Sequence, residues 1–261
     1  MTISDSTFAV GELTVEVHPS EQAAGSAAAD FAAATIGAAV RDRGAARVVV
    51  ATGNSQLAFV HALAGVDIPW DRVTVFHMDE YLGLDADHPA SFRRWIRENV
   101  GISFSPARVE YIQPDRGDPE AECGRYEALL REAPLDLTCM GVGENGHLAF
   151  NEPGAADFAD ERWARVIELT PESRRQQVNE GHFPDPQSVP PAAISLTIPA
   201  LLSSRTVQVV VPELRKAPAI ARALNGPVDN SCPASILQRH GHARLFLDQQ
   251  SSSQVAWPAT T

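Results

Sequence analysis

Short β-branched or apolar runs alternate with helical stretches along almost the whole chain, and no other feature restricts its fold as much. Residues 47–51 (RVVVA), 73–77 (VTVFH), 135–139 (LDLTC), 206–211 (TVQVVV) and 243–247 (ARLFL) read as strands, with 47–51 central and 135–139 and 206–211 buried. Alternating segments at 13–18, 164–169 and 194–198 add further strands, the first of them a possible edge, and 111–114 is a short extended piece. Helices are expected at 21–43, from Leu57 onward, at 91–100 and 119–132, from Thr170-Pro171, at 213–224 and at 232–237. In the 91–100 helix, Phe92, Trp95 and Ile96 face inward and Arg93, Arg94 and Arg97 form a solvated face. No internal repeat or linker interrupts the order. The pattern predicts a single doubly wound α/β domain, Rossmann-like, on one mainly parallel sheet with helices on both faces. Its core would span about residues 12–248, with a mobile tail rich in Ser and Gln.

Polar chemistry is concentrated just after the strands. Residues 140–154 read M-G-V-G-E-N-G-H-L-A-F-N-E-P-G, a glycine-rich turn that carries His147 and Glu152 out of the 135–139 strand. An imidazole and a carboxylate at the carboxyl end of a strand suit proton transfer, although an exposed His and Glu in a plain turn fit the same letters. After the 47–51 strand, Thr52, Gly53, Asn54 and Ser55 lead into a helix. Backbone N–H groups and hydroxyls at such a turn can cradle a phosphate, and a simple N-cap at Asn54 or Ser55 is the alternative. No Walker loop is present. Asp79 and Glu80 follow the 73–77 strand, where neighbouring acids can raise one another's pKa toward that of a general base or simply open a surface loop. In a doubly wound sheet all these ends share one edge.

The remaining composition removes several function classes. A net charge of −12 argues against a nucleic-acid surface, and no apolar run approaches 18 residues, so no membrane span is expected. The amino terminus, M-T-I-S-D-S-T, lacks the layout of a signal peptide. Cys123, Cys139 and Cys232 are scattered with no CxxC, which points to a reducing cytoplasm and away from structural zinc. Of 21 cationic residues only Lys216 is a lysine, either by chance or because a compact ammonium is needed there.

A-T-G-N-S (51–55), F-H-M-D-E-Y-L-G-L (76–84), G-V-G-E-N-G-H-L-A-F-N-E-P-G (141–154) and the helix around Lys216 resemble glucosamine-6-phosphate deaminase, in order and spacing, over roughly residues 12–248. The resemblance implies aldose–ketose isomerisation with loss of ammonia, giving fructose 6-phosphate without a metal or organic cofactor. It assigns Asp79 as the base moving a proton between C2 and C1. His147 with Glu152 would open the sugar ring, and Asn145 would orient the imidazole. Thr52, Gly53, Asn54, Ser55, Glu80, Gly146 and Lys216 would bind substrate and its phosphate.

Two departures stand out. Some family members have an aspartate where this chain has Asn145. The family arginine that grips phosphate corresponds by offset to Asn179, leaving Arg174, Arg175 or His182 as replacements and the galacto epimer as an alternative substrate. Regulated members carry basic residues near 165–168. Here Arg165 is followed by Ile167 and Glu168, so no allosteric activation is expected. The family includes monomers and hexamers, which leaves a homo-oligomer open. The rival 6-phosphogluconolactonases typically read D-E-R and S-L-F-P where this chain has Tyr81 and Phe150-Asn151-Glu152-Pro153. A non-catalytic sugar-phosphate sensor would not need Asp79, His147 and Glu152 together.

Overall fold

The computed structural model describes residues 6–257. Most of the amino-terminal M-T-I-S-D-S-T segment, and the last four residues of the tail, lie outside them. The elements run β1 (Ser6–Val10), β2 (Leu13–His18), α1 (Glu21–Arg43), β3 (Ala46–Val50), α2 (Leu57–Ala64), β4 (Val73–His77), β5 (Asp79–Tyr81) and α3 (Phe92–Trp95). They continue through β6 (Arg108–Glu110), α4 (Pro119–Arg131), β7 (Leu137–Met140), β8 (Ala164–Glu168), α5 (Pro171–Asn179), β9 (Ala192–Leu196), α6 (Ile198–Leu202), β10 (Thr206–Val211), α7 (Ala217–Asn225) and β11 (Ala243–Asp248).

Eight strands form the main sheet in the order β1-β2-β11-β10-β7-β3-β4-β6, parallel throughout except for the β1–β2 hairpin. The doubly wound expectation therefore holds, with helices on both faces. Strand alternation sorts the core into two layers. Val48 and Val50 of β3 pack with Ala28, Ala32 and Ile36 of α1 and Phe59 and Leu63 of α2, whereas Val49 packs with the layer holding Tyr126 of α4, Leu201 of α6 and Ile220 of α7. The Ala-rich face of α1 lets it lie close to its neighbours. At Gly25 a Cβ would come within 2.9 Å of the Ala58 carbonyl carbon, so the α1–α2 crossing tolerates hydrogen alone. By length and composition α1 could cross a membrane. Here its buried residues pack against the sheet.

Four expectations need correction. Residues 13–18 are not an edge strand, because β1 pairs with them from Ser6↔Val17 to Val10↔Leu13. The tail is not loose as far as residue 257: Trp257 stacks on Phe8 at 4.2 Å, Asn225 and Ala256 bond to each other twice, and Ser251 and Ser252 are buried against Asp248. The 91–100 helix is one α-turn followed by a wider π-helical turn, Ile96–Gly101. Its Arg93 is buried, bonded to Glu80 and Asp115, and not part of a solvated face. Finally, the strands at 164–169 and 194–198 do not join the main sheet. With β5 they make a small antiparallel sheet, β5-β9-β8, over an aromatic cluster of Tyr81, Phe92, Phe150 and Phe183.

Candidate active site

The carboxyl ends of β10, β7, β3 and β4 lie side by side, so the loops that follow them meet at one edge of the sheet. The chain proceeds from β3 outward to β4 and then returns to the other side of β3 with β7. That reversal makes the β3/β7 crevice a topological switch point, where open α/β sheets bind ligands. A cleft opens there. Residues 52–55, Asp79, His147, His182 and Lys216 all line it.

The 52–55 turn is built as a cradle. Gly53 has φ +106°, and the chain passes through a 3₁₀ turn, Asn54–Gln56, into α2. Neither Asn54 nor Ser55 caps a helix through its side chain, which sets aside the simple N-cap. Gln56 is buried and fixes the turn to the sheet, its Nε2 donating to the Val210 carbonyl at 3.1 Å.

In the glycine-rich turn, Gly143 N–H donates to the His147 carbonyl and Gly146 N–H to the Gly143 carbonyl, both at 3.0 Å. The imidazole of His147 lies directly over Gly143, where any Cβ would collide with the ring. Asn145 ties the turn together: its Oδ1 accepts from His147 N–H (3.1 Å) and its Nδ2 donates to Glu152 Oε2 (2.8 Å). Glu152 also accepts from the Ser173 hydroxyl of α5. The Glu152 Oε1 lies 3.6 Å from His147 Nδ1, longer than a hydrogen bond, and that nitrogen has no protein partner among the described residues. Burial pushes the His147 pKa down and Lys216 adds to this, against the pull of Glu152 and Glu180. The balance favours the neutral imidazole. Asn145 and Glu152 stand behind the ring and are not among the cavity-lining residues.

Asp79 and Glu80 are neighbours on β5, and a strand sends neighbours to opposite faces. Asp79 faces the cavity, its Oδ1 buried and without a hydrogen-bond partner among the described residues. Burial, reinforced by the Glu80 charge, pushes its pKa up to about 8. Glu80 points the other way and does not line the cavity. Its carboxylate accepts from Tyr81, Phe92 and Arg93 N–H, from Ser91 Oγ and from Arg93 Nε. His77 supports Asp79 from below. Ile112 N–H donates to His77 Nε2 (2.9 Å), which leaves Nδ1–H to donate to the Asp79 carbonyl (3.0 Å). Burial lowers the His77 pKa to about 3, so this ring is a neutral strut.

On α5 and the residue that caps it, positions 173, 176, 177 and 180 share a face by helical spacing. Ser173 reaches Glu152, and Gln176, Gln177 and Glu180 line the cavity. Arg174 and Arg175 fall on other faces and do not line it, and Arg175 is spent on Glu172 at the surface. Asn179 is exposed and likewise lies outside the cavity. Gly146 does not line the cavity either. It has φ +94°, and a Cβ there would meet Cys232 Sγ at 2.8 Å. Lys216 is buried, its pKa lowered by burial and partly restored by Glu180. It ends a 3₁₀ turn, Leu214–Lys216, one residue ahead of α7 and not within that helix as expected. The residues that pattern reading missed are His77, Ser173, Gln176, Gln177, Glu180 and Arg215. Of these, Arg215 alone carried a signal, as the cation beside the lone lysine. Among the described residues, no cluster of three or more His, Cys, Asp or Glu side chains is arranged to hold a metal ion.

Residues 19–247 match the family model of glucosamine-6-phosphate isomerases/6-phosphogluconolactonase. A glucosamine-6-phosphate deaminase of Exiguobacterium sibiricum is 34% identical over 209 residues, covering 79% of this chain and 80% of that one. One of Listeria innocua is 35% identical over 207 residues, covering 78% and 85%. Among solved structures, a monomeric glucosamine-6-phosphate deaminase superposes with TM-score 0.83 at 28% identity, covering 92% of this chain and 99% of its own. A 6-phosphogluconolactonase from Shewanella baltica gives TM-score 0.76 at 21% identity, covering 92% and 100%, a likeness of fold alone. By the length of the matched model and the identity of these relatives, the chain belongs to the glucosamine-6-phosphate isomerase/6-phosphogluconolactonase family.

Proposed function

We propose that this protein converts glucosamine 6-phosphate and water to fructose 6-phosphate and ammonia. The observation that carries the reading is the pairing of an unpartnered, pKa-raised carboxyl, Asp79, with a neutral imidazole, His147, on the wall of one cavity. Ring opening needs a group that takes a proton from the anomeric hydroxyl and returns one to the ring oxygen. A neutral imidazole does both, and the nearby Glu152 carboxylate stabilises the imidazolium formed between the two transfers. Asp79 then removes the proton from C2 of the open aldose and delivers it to C1, while one ammonium proton passes to O1, leaving an iminium at C2 and a hydroxyl at C1. Water adds to that carbon and ammonia departs. A carboxyl with pKa near 8 is a stronger base than an exposed one. The substrate ammonium beside it would favour its ionised form. The 52–55 amides and hydroxyls, with Lys216, bind the phosphate. The names of the deaminases to which the chain is about a third identical support the same reaction. We place it in the cytoplasm, which suits three free and buried cysteines.

The test is ammonia release from glucosamine 6-phosphate, run beside galactosamine 6-phosphate and 6-phosphogluconolactone. Ammonia from the gluco substrate is expected. Ammonia from the galacto epimer alone would move the substrate, and lactone hydrolysis alone would place the chain in the other branch of its family.

A further inference from the structure

Two cationic side chains and an imidazole at the cavity converge on a single carboxylate. Glu180 Oε1 lies 3.9 Å from Lys216 Nζ and 3.5 Å from an Arg215 terminal nitrogen, and its Oε2 lies 3.7 Å from His182 Nε2. All four residues line the cavity. Gln176 Nε2 also donates to Glu180 Oε1, at 3.0 Å. The acid follows the last residue of α5, the negative end of that helix's dipole, so its own helix disfavours it there and the cations hold it. Arg215 is aimed by its other contacts. Its Nε and second terminal nitrogen grip Glu213, at 2.6 and 3.1 Å, and this leaves the first terminal nitrogen to Glu180 and, at 3.4 Å, Glu144.

Partly buried cations need an anion, and a phosphate dianion with three acceptor oxygens answers an ammonium, a guanidinium and an imidazole better than one carboxylate does. We propose that Glu180 is the resident counter-ion of the phosphate subsite, with which the incoming phosphoryl group exchanges, and that Arg215 supplies the guanidinium missing at Asn179. Glu180 thereby sets how tightly the phosphate is held. Part of the substrate's binding energy is used to displace a carboxylate. The inference rests on the reading that the ligand carries a phosphoryl group and is independent of the deamination step.

The experiment is calorimetric titration of inorganic phosphate into the full chain. Glu180→Gln keeps the side-chain shape and removes the charge, and phosphate should bind on the order of tenfold tighter, the scale of one charged hydrogen bond. Glu180→Ala should tighten it in the same direction and serves if the first variant fails to fold. Arg215→Met should weaken phosphate by about tenfold or more. Unchanged or weaker binding in the Glu180 variants would overturn the counter-ion role, and unchanged binding in Arg215→Met would remove the guanidinium from the subsite. Tightening in a protein that releases no ammonia would leave this inference standing and sink the proposed reaction. Ammonia release without tightening would do the reverse.

Discussion

Gly143→Ala tests the placement of the imidazole without altering any ionisable group. A Cβ at Gly143 would lie 2.2 Å from both Cε1 and Nε2 of His147 and 2.4 Å from Cδ2. Carbon contacts settle near ~3.5 Å, so the ring must retreat by more than ~1 Å. The main chain cannot supply that movement, because the His147 carbonyl is held by Gly143 N–H and its own N–H by Asn145. The ring must swing about its side-chain torsions, away from the 3.6 Å approach to Glu152. A displacement of ~1 Å at a proton-transfer group costs on the order of 100-fold in rate, or ~3 kcal/mol of barrier. Overpacking should cost ~1–3 kcal/mol of folding stability, readable separately by urea unfolding. Gly143 does not have positive φ, so no backbone strain confuses the result. The assay is ammonia release at saturating substrate, at a temperature where the variant is folded. We expect kcat to fall about 100-fold with KM within a few-fold, and little further loss when Gly143→Ala is added to His147→Ala. A variant within about threefold of the parent kcat would refute the placement of His147 as the working group.

Two further perturbations follow from the carboxylates of β5. Asp79→Asn should lower kcat by ~10²–10⁴-fold with KM nearly unchanged. In the parent, kcat/KM should fall as pH drops through about 8, since the base must be ionised. The linkage has the opposite sign from that of a salt-bridged acid. With its pKa raised in the folded state, Asp79 holds its proton where the unfolded chain has lost it, so its burial costs increasing stability from pH ~4 to ~8. Asp79→Asn should therefore melt above the parent at pH 8.5 and level with it near pH 4. A constant gap across that range would contradict the assignment. Arg93→Met should cost about 3 kcal/mol in urea unfolding, because it leaves Glu80 buried on its N–H and hydroxyl donors without a cation. A loss under ~1 kcal/mol would mean that those donors suffice alone.

The letters around a strand announce its chemistry well and its partners poorly. Asp79 and Glu80 look alike in sequence, yet alternation on β5 gives one to the cavity and buries the other in a structural network. Arg93 reads as a surface arginine because its helical pattern is polar there, and only the fold brings Glu80 and Asp115 to it. The Ser/Gln tail has no periodicity to read, and its docking depends on Phe8 at the opposite end of the chain. Arg174 and Arg175 lie close to Asn179 in sequence, and helical rotation turns them from the cavity while admitting Gln176, Gln177 and Glu180.

By itself the sequence determined the doubly wound sheet and the shared edge where four strand ends deliver their polar loops, with Asp79 and His147 among the side chains carried there. Those follow from local properties: β-branched runs, helical spacing, and glycines that let a chain turn at a strand end. Only the tertiary structure decided that Glu80 is a strut, that His77 holds Asp79, and that Arg215, Lys216 and His182 gather on Glu180. Each of those depends on side chains far apart in sequence meeting in a buried place, where charge is costly unless paired. A one-dimensional pattern carries no record of which partner will be there.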